Sequence, residues 1–319
     1  MSNLALCFLA SLAVLVFVSE ARSVGQKNVL ELVVAVDKPV KKQWKKLAKS
    51  NNRFEQELYS TIVEVNEVFK TLADYGLDFE IRVKKVLTPR RNILGRDSSG
   101  QIESEDAYDR TIKWLNKQKV TYDHAVVFLG ADLLWKGELI SGYSGTNTTC
   151  SKHFPSVSLV QAMYDYGTAT TIVKLISQTM GVVDDGKGVA SSCSPDDGYI
   201  LTAYDYMQDS KNKWSFSSCS AEQIKSYIKS KDCLLPDDTT AQPLSGYRRF
   251  GQVVGAEETC RRTTGKSVVS GYEDEICTLL YCLDQETDTV TYMVNVEPPP
   301  GVECDQGKIC IRGSCVPEA

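Results

Sequence analysis

Apolar residues in the first third of the chain follow two patterns, a continuous run and a helical repeat. Residues 29–36 are apolar, and mostly β-branched, at nearly every position, which is typical of a strand buried on both faces. At 54–75, apolar residues recur every three or four positions, which predicts a long amphipathic helix that ends at Gly76. Residues 77–86 then alternate between apolar and polar, as a strand does.

The middle of the chain repeats this alternation of elements. Residues 107–117 predict a helix, 122–129 predict a second fully buried strand, and 168–180 predict a helix that stops at Gly181. Helices between buried strands indicate a mostly parallel sheet that is covered on both faces, so we predict an α/β fold. The core-facing side of the helix at 168–180 is expected to consist of Ile172, Val173, Ile176 and Met180.

A change in composition divides the chain into two parts. Residues 237–246 are mostly polar and contain proline, as in a linker, and they separate a domain at 22–236 from a module at 247–319. The module contains six cysteines and a Pro-Pro-Pro-Gly break at 298–301, which indicates a small disulfide-rich unit with irregular structure. The pairing of these six cysteines stays open.

The N-terminus has the pattern of an export signal. An apolar run at 4–18 precedes a small-x-small cleavage pattern at 19–21, so residues 1–21 are predicted to be a signal peptide. Because the run is shorter than the ~20 residues that span a bilayer, we expect a secreted, extracellular protein without membrane insertion. Of the 11 cysteines, Cys7 lies in this segment, and the even number that remains suits an oxidising compartment.

Two further surface features bear on partners. Asn147 begins an Asn-Thr-Thr sequence in a stretch rich in Gly, Ser and Thr, which predicts a glycosylated, exposed loop. The formal net charge of −5 argues against nucleic-acid and anionic-membrane partners, because it implies no broad basic face. The lysine-rich stretch at 41–49 is interpreted as a solvated turn and the start of a helix.

The candidate chemistry lies at residues 174–185, KLISQTMGVVDD. This stretch has the frame of the metzincin proteases, in which a helix carries His-Glu-x-x-His, a glycine turns the chain and a third histidine follows. The three histidines bind zinc, and the glutamate is the general base for the attacking water. Here Gly181 occupies the turn position and Asp185 follows the third ligand position. The ligand positions hold Lys174, Gln178 and Asp184, and the general-base position holds Leu175.

The surrounding sequence resembles the reprolysin (adamalysin-type) zinc metalloproteases over residues 28–236. The similar segments are 31–44, 142–145 with Cys150, Cys193, 204–207, 216–220, 224–228 and 233–236. The resemblance implies a metzincin-like twisted mixed sheet with flanking helices and a Met-turn that contains Met207. It also implies disulfides that join Cys150 to Cys233 and Cys193 to Cys219. At the C-terminal end, residues 301–316 resemble the disintegrin-like and Cys-rich modules of thrombospondin-type metalloproteases.

The ligand positions do not provide a zinc site. The chain contains two histidines, His124 and His153, both interpreted as structural or exposed, so it cannot form a three-histidine site. We therefore expect no zinc and no catalytic residue. Two alternatives for the altered site stay open. One is an ion pair between Lys174 and Asp184 that Gln178 supports, and the other is a calcium site made by Asp184, Asp185, Asp196 and Asp197.

Three functions are compatible with these residues. The degenerate motif favours a secreted pseudoprotease that binds a protein partner or a substrate-like peptide through its old cleft, its Cys-rich module, or both. For this pseudoprotease, the family resemblance suggests a setting in salivary or venom secretions. The alternative is an active secreted metalloendopeptidase that acts on extracellular-matrix or haemostasis proteins. The third is a structural or decoy component. An apolar pocket beside the Met-turn would favour the first function over the third.

Overall fold

The structure of the protein is a computed structural model that describes most of the chain after residue 26. The predicted signal peptide at 1–21 and Met207 lie outside the described residues. The described residues are 27–89, 93–96, 98, 100–151, 153–163, 165–202, 210–229, 231–235, 240–265, 268–269, 276–283 and 296–318.

A six-stranded mixed sheet lies at the centre of the molecule. The described strands are β1 (Asn28–Val36), β2 (Phe79–Leu87), β3 (Ile102–Glu103), β4 (His124–Leu129), β5 (Leu133–Trp135), β6 (Glu138–Ile140), β7 (Gly142–Ser144), β8 (Val157–Gln161), β9 (Gln242–Pro243), β10 (Val268–Val269), β11 (Cys282–Leu283), β12 (Glu303–Asp305), β13 (Lys308–Ile311) and β14 (Ser314–Pro317). The large sheet has the order β7-β8-β4-β1-β2-β9. Its four inner strands are parallel, and the edge strands β7 and β9 are antiparallel to their neighbours. The predicted mostly parallel sheet is thus confirmed, and it is mixed at both edges.

The central strand β1 explains why the sheet is covered on both faces. All nine of its residues are buried. Because side chains alternate along a strand, Leu32 and Val34 enter one apolar core, whereas Val33 and Ala35 enter the core on the opposite face. The predicted buried strand at 29–36 is therefore confirmed.

Helices cover these two faces unequally. The described helices are α1 (Lys38–Ala48), α2 (Asn51–Lys70), α3 (Ser104–Leu115), α4 (Gly167–Thr179), α5 (Ser218–Ile228), α6 (Phe250–Val253) and α7 (Ala256–Thr264). Side chains of α1, α2, α4 and α5 share the first core, and α3 packs against the second. The helix predicted at 54–75 is α2 followed by a 3-10 turn at Thr71–Tyr75, which ends where Gly76 takes a φ of +73°.

The stretch at 41–49 is solvated as predicted, but it is the body of a helix and not a turn and helix start. This stretch lies mostly within α1, which begins at Lys38 because Asp37 accepts a hydrogen bond from the Lys38 backbone N–H and Pro39 occupies the first turn. The helix buries Val40, Trp44 and Ala48, which are four residues apart. Lysine stems on the other positions concealed this short apolar stripe in the sequence pattern.

The C-terminal module packs directly on the main domain. Phe250 and Val254 lie in the same core as α2, and β9, within the segment predicted as a linker, pairs with β2. The module contains two short sheets, β10-β11 and β12-β13-β14. Its three disulfides are Cys260–Cys282, Cys277–Cys310 and Cys304–Cys315.

Candidate functional site

Helix α4 carries the first half of the degenerate motif. Near its N-terminus, burial raises the pKa of Asp165 to about 6, and the backbone N–H groups of Gly167 and Thr168 oppose this shift. The helix ends before Gly181, which has a φ of +77°. The sequence frame of a helix followed by a glycine turn is therefore present in the structure.

Lys174, at the first ligand position, lies on the wall of a cavity of about 450 Å³. A cationic side chain at this position repels a metal ion instead of binding it. The cavity also reaches Trp214 and Glu297, and Glu297 belongs to the C-terminal module and forms an ion pair with Lys213 at 3.1 Å. One wall of the cavity is therefore supplied by the module. The other lining residues are Ser141, Met163, Gly167, Thr170, Thr171, Gly198, Tyr199, Ile200 and Thr202.

Leu175, at the general-base position, is 5% exposed and packs beneath the edge strand β7. Its Cδ1 atom lies 2.6 Å from the position that a Cβ atom on residue 142 would take. Leu175 can therefore pack here because residue 142 is a glycine. An apolar side chain cannot accept a proton from water. This position therefore supplies no base.

The two remaining ligand positions are engaged in other contacts. The exposed Gln178 accepts a hydrogen bond through its Oε1 atom from the Ser144 hydroxyl of β7, at 3.3 Å. The carboxylate of Asp184 pairs with the Lys187 ammonium at 2.7 Å. The ion pair between Lys174 and Asp184 was one of the two alternatives for the altered site. Asp184 instead pairs with Lys187, which the backbone hydrogen bond from Lys187 N–H to Asp184 C=O brings close.

Asp185 ties the motif turn to the elements beneath it. The buried carboxylate accepts hydrogen bonds from the hydroxyls of Ser217 (2.6 Å) and Ser220 (3.2 Å), at the start of α5. Its backbone N–H donates to the Leu201 carbonyl at 3.1 Å. Burial raises the pKa of Asp185, the two hydroxyls oppose this shift, and the charges of Asp184 and Asp197 add to it. Asp185 therefore ties the motif turn to the start of α5 and to Leu201.

The four aspartates of the calcium alternative do not converge. Asp185 is buried against α5, whereas Asp196 and Asp197 are exposed on a 3-10 turn, Pro195–Asp197. Within the described ranges, no three of these carboxylates have oxygens within 4.8 Å of one another. The described residues thus place Asp184, Asp185, Asp196 and Asp197 without a shared centre.

The loop that contains Asn147 packs against the motif turn. An added Cβ atom on Gly181 would clash with the Asn147 amide oxygen, so Gly181 is needed for space as well as for its φ. The buried Thr149 hydroxyl lies 2.8 Å from the Thr179 hydroxyl, and the Thr149 N–H donates to the Thr179 carbonyl. Two disulfides fasten the same region, and they join Cys150 to Cys233 and Cys193 to Cys219.

Neither histidine occupies a ligand position of the motif. His124 is fully buried in β4, and its two ring nitrogens lie 2.7 Å from the Ser156 hydroxyl and 2.9 Å from the Ser158 hydroxyl. Burial lowers the pKa of His124 to about 3, so the ring is neutral. His153 is exposed in the loop after Cys150.

Two parts of the chain match known protein families. Residues 100–237 match the reprolysin (M12B) family of zinc metalloproteases, and residues 250–316 match the cysteine-rich domain 2 of the ADAMTS proteins. The chain is a reprolysin-family metalloprotease homologue. The second match shows that the C-terminal module of this reprolysin homologue is a cysteine-rich module.

The relatives of the reprolysin homologue are larger proteins. It is 24% identical over 258 residues to "A disintegrin and metalloproteinase with thrombospondin motifs like" of Bombyx mori, covering 72% of this chain and 35% of that protein. It is 23% identical over 266 residues to human "A disintegrin and metalloproteinase with thrombospondin motifs 3", covering 79% of this chain and 21% of that protein. The chain therefore spans about a third or less of these relatives.

Among solved structures, archaemetzincin from Methanopyrus kandleri is similar with a TM-score of 0.40 and 14% identity, over 63% of this chain and 96% of that chain. None of the helices in the described ranges of the reprolysin homologue is long and apolar enough to cross a membrane.

The residues of the reprolysin homologue do not fit zinc. A structural or catalytic zinc ion needs at least three His, Cys or carboxylate ligands, whereas the three positions here supply an ammonium, a neutral amide and one carboxylate that is already paired. Sequence reasoning identified these positions but missed Glu297, Lys213 and Trp214, which line the adjoining cavity. No local sequence pattern predicts that Glu297 lines the cavity, because Glu297 belongs to the C-terminal module.

Proposed function

We propose that this protein is a secreted, catalytically inactive reprolysin homologue that binds an extended peptide segment of an extracellular protein in the cleft between β7 and α4. The peptide would occupy the position of a substrate and stay uncut. The C-terminal module would contribute to the binding surface through Glu297, which lines the cavity beside α4.

The observation that carries the proposal is the burial of Leu175 beneath β7. Peptide hydrolysis by a metzincin needs a metal-bound water and a carboxylate that takes its proton. Leu175 fills the space of that carboxylate with an apolar side chain, and Lys174 places an ammonium at the first metal-ligand position. Lys174 thus disfavours the metal ion, and Leu175 removes the carboxylate that would take the proton.

Two features support the retention of peptide binding. The strand β7 lies at the edge of the sheet, so an extended peptide can add to it through main-chain hydrogen bonds. The cavity of about 450 Å³ beside it has a volume typical of side-chain and small-ligand pockets and is lined by Met163, Tyr199 and Trp214. Because the pocket walls are formed, this geometry favours a binding protein over a component without a ligand.

Disulfide bonds support the proposed secretion. The ten cysteines after Cys7 are paired in five disulfides, of which two fasten the main domain and three fasten the C-terminal module. Such pairing is stable in oxidising compartments and rare in the cytosol.

Binding and cleavage of short fluorescent peptides from a gelatin digest test the proposal. We expect retention of a subset of peptides with no cleavage, whether or not a chelator is present. Thr170→Arg would place a long side chain in the cavity and should weaken binding by about tenfold or more. Ser226→Arg, on the exposed side of α5, is the matched control and should bind as the wild type does. Chelator-sensitive cleavage would overturn the proposal.

A further inference from the structure

The exposed side of α1 carries only positive charge. The helix KPVKKQWKKLA has five lysines among its 11 residues and no acidic residue, and Lys49 follows as its C-cap. This concentration stands out in a chain with 36 basic and 41 acidic residues and a net charge of −5. The lysine face is defined here as Lys38, Lys41, Lys42, Lys45, Lys46 and Lys49.

The lysine face stabilises only one end of the helix, because Lys45 and Lys46 lie in the last turn, where positive charge complements the helix dipole. Lys38, Lys42 and Lys46 follow one another at intervals of four residues, a spacing at which like charges repel each other on a helix surface. The first turn contains Lys38 and Lys41 but no acidic side chain, so its charge also opposes the helix dipole. The positive charge in the first turn is therefore not explained by the stability of the helix.

The acidic side chains around α1 are bound to other partners. Asp37 pairs with Arg96 at 2.6 Å, and Glu57 accepts hydrogen bonds from Trp44 and Arg262. Across the described part of the chain, none of the six lysines of this face forms an ion pair with an acidic side chain. The ammonium of Lys41 donates to the Thr88 hydroxyl at 3.1 Å, and the ammonium groups of Lys41 and Lys45 each lie 5.9 Å from the centre of the Phe54 ring. The positive charge directed to solvent is therefore that of the four exposed lysines, Lys38, Lys42, Lys46 and Lys49.

The shape of the face distinguishes among anionic partners. The apolar residues Val40, Trp44 and Ala48 are at most 1% exposed, so α1 has no apolar stripe that could enter a bilayer. The face is one helix long, roughly 16 Å from Lys38 to Lys49 at a rise of about 1.5 Å per residue, and lies on a protein of net negative charge. A narrow row of this kind fits a linear polyanion better than a broad anionic surface.

We propose that the lysine face of α1 is a binding site for a linear sulfated polysaccharide. Sulfate groups spaced along such a chain would pair with ammonium groups spaced along the helix. The site does not depend on the cleft between β7 and α4, so it stands or falls separately from the proposed peptide binding.

Heparin is the probe for this site. We expect the full-length protein to bind immobilised heparin at about 0.15 M NaCl, which is near physiological ionic strength. The double variant Lys42→Glu and Lys46→Glu should bind about tenfold or more weakly, because each lost lysine contact removes a counterion-releasing ion pair. The double variant Lys113→Glu and Lys117→Glu is the matched control, since these lysines are exposed, lie four residues apart and change the net charge equally. It should bind heparin as the wild type does.

Circular dichroism of both double variants shows whether they fold, since the exchanged side chains are exposed. Equal weakening of heparin binding by the two double variants would overturn the proposal, because net charge would then explain it. Failure of the wild type to bind heparin would also overturn it. Equal or tighter binding to phosphatidylserine vesicles or to duplex DNA would contradict the assignment to a sulfated polysaccharide.

Discussion

The Arg249 guanidinium of the C-terminal module binds the Glu64 carboxylate of α2 through two hydrogen bonds, of 2.9 Å and 2.6 Å. Glu64 is 1% exposed and also accepts the Phe250 backbone N–H at 2.8 Å. Seven residues earlier on α2, the buried Glu57 makes the same kind of two-bond pair with Arg262. Two glutamates on one face of α2 thus fix the module to the main domain.

Replacement of Arg249 by Met should destabilise the protein by about 3–5 kcal/mol, because the buried Glu64 carboxylate would lose its charge partner. Urea denaturation measures this loss. The adjacent Arg248 is exposed, so Arg248→Met serves as the matched control and should change stability by less than about 0.5 kcal/mol. Equal effects of the two substitutions would mean that the Glu64–Arg249 pair does not fasten the module.

Replacement of Gly181 by Ala should destabilise the motif turn for two reasons. Its φ of +77° disfavours an L-residue by about 1–2 kcal/mol, and the new methyl group would clash with the Asn147 amide oxygen. Gly76→Ala isolates the first effect, because Gly76 has a φ of +73° and no atom within 4 Å of an added Cβ. Thermal denaturation should therefore show a larger loss for Gly181→Ala.

A double-mutant cycle tests the clash itself. In an Asn147→Ala background the oxygen is gone, so Gly181→Ala should cost less than it does in the wild type. A cost that is unchanged by Asn147→Ala would show that the loop and the motif turn do not contact each other in this way.

The buried His124 should make the protein less stable as the pH falls. Its pKa is about 3 in the folded state and 6.5 ordinarily, so below pH 6.5 the unfolded chain binds a proton that the folded protein does not. This difference costs about 1.4 kcal/mol for each pH unit between 6.5 and 3. Asp165 acts in the opposite direction, because its pKa is raised to about 6 and protonation favours the folded state.

Comparison with a variant separates the two groups. His124→Asn should show a smaller loss of stability between pH 7 and pH 5 than the wild type, because the titrating ring is removed. The exposed His153 is the matched control, and His153→Asn should follow the wild type across this range. A pH dependence that His124→Asn leaves unchanged would contradict the assignment.

Local sequence patterns predicted the strands and helices whose own apolar residues are spaced to face the core. The strands β1 and β4 and the helix α4 are confirmed, because their apolar spacing matches the period of each structure. The pair of Glu64 and Arg249 could not be predicted, since the two residues lie 185 positions apart and each is typical of a surface.

At the candidate site, the sequence shows which residues replace the zinc ligands but not which partners those residues contact. The replaced residues at 174–184 are visible without a structure, but the partner of Asp184 is not. The turn that brings Lys187 to Asp184 depends on a backbone hydrogen bond and on Gly186 at a φ of +83°. The wall that Glu297 contributes to the cavity depends on how the module packs, which no local pattern encodes.

Zinc content of the purified protein tests the central claim most directly. Elemental analysis after dialysis should compare the wild type with a fourfold variant that restores the motif, Lys174→His, Leu175→Glu, Gln178→His and Asp184→His. Since the helix, the glycine turn and both neighbouring disulfides are present, we expect zinc to bind the variant and to be absent from the wild type. Stoichiometric zinc in the wild type would contradict the account.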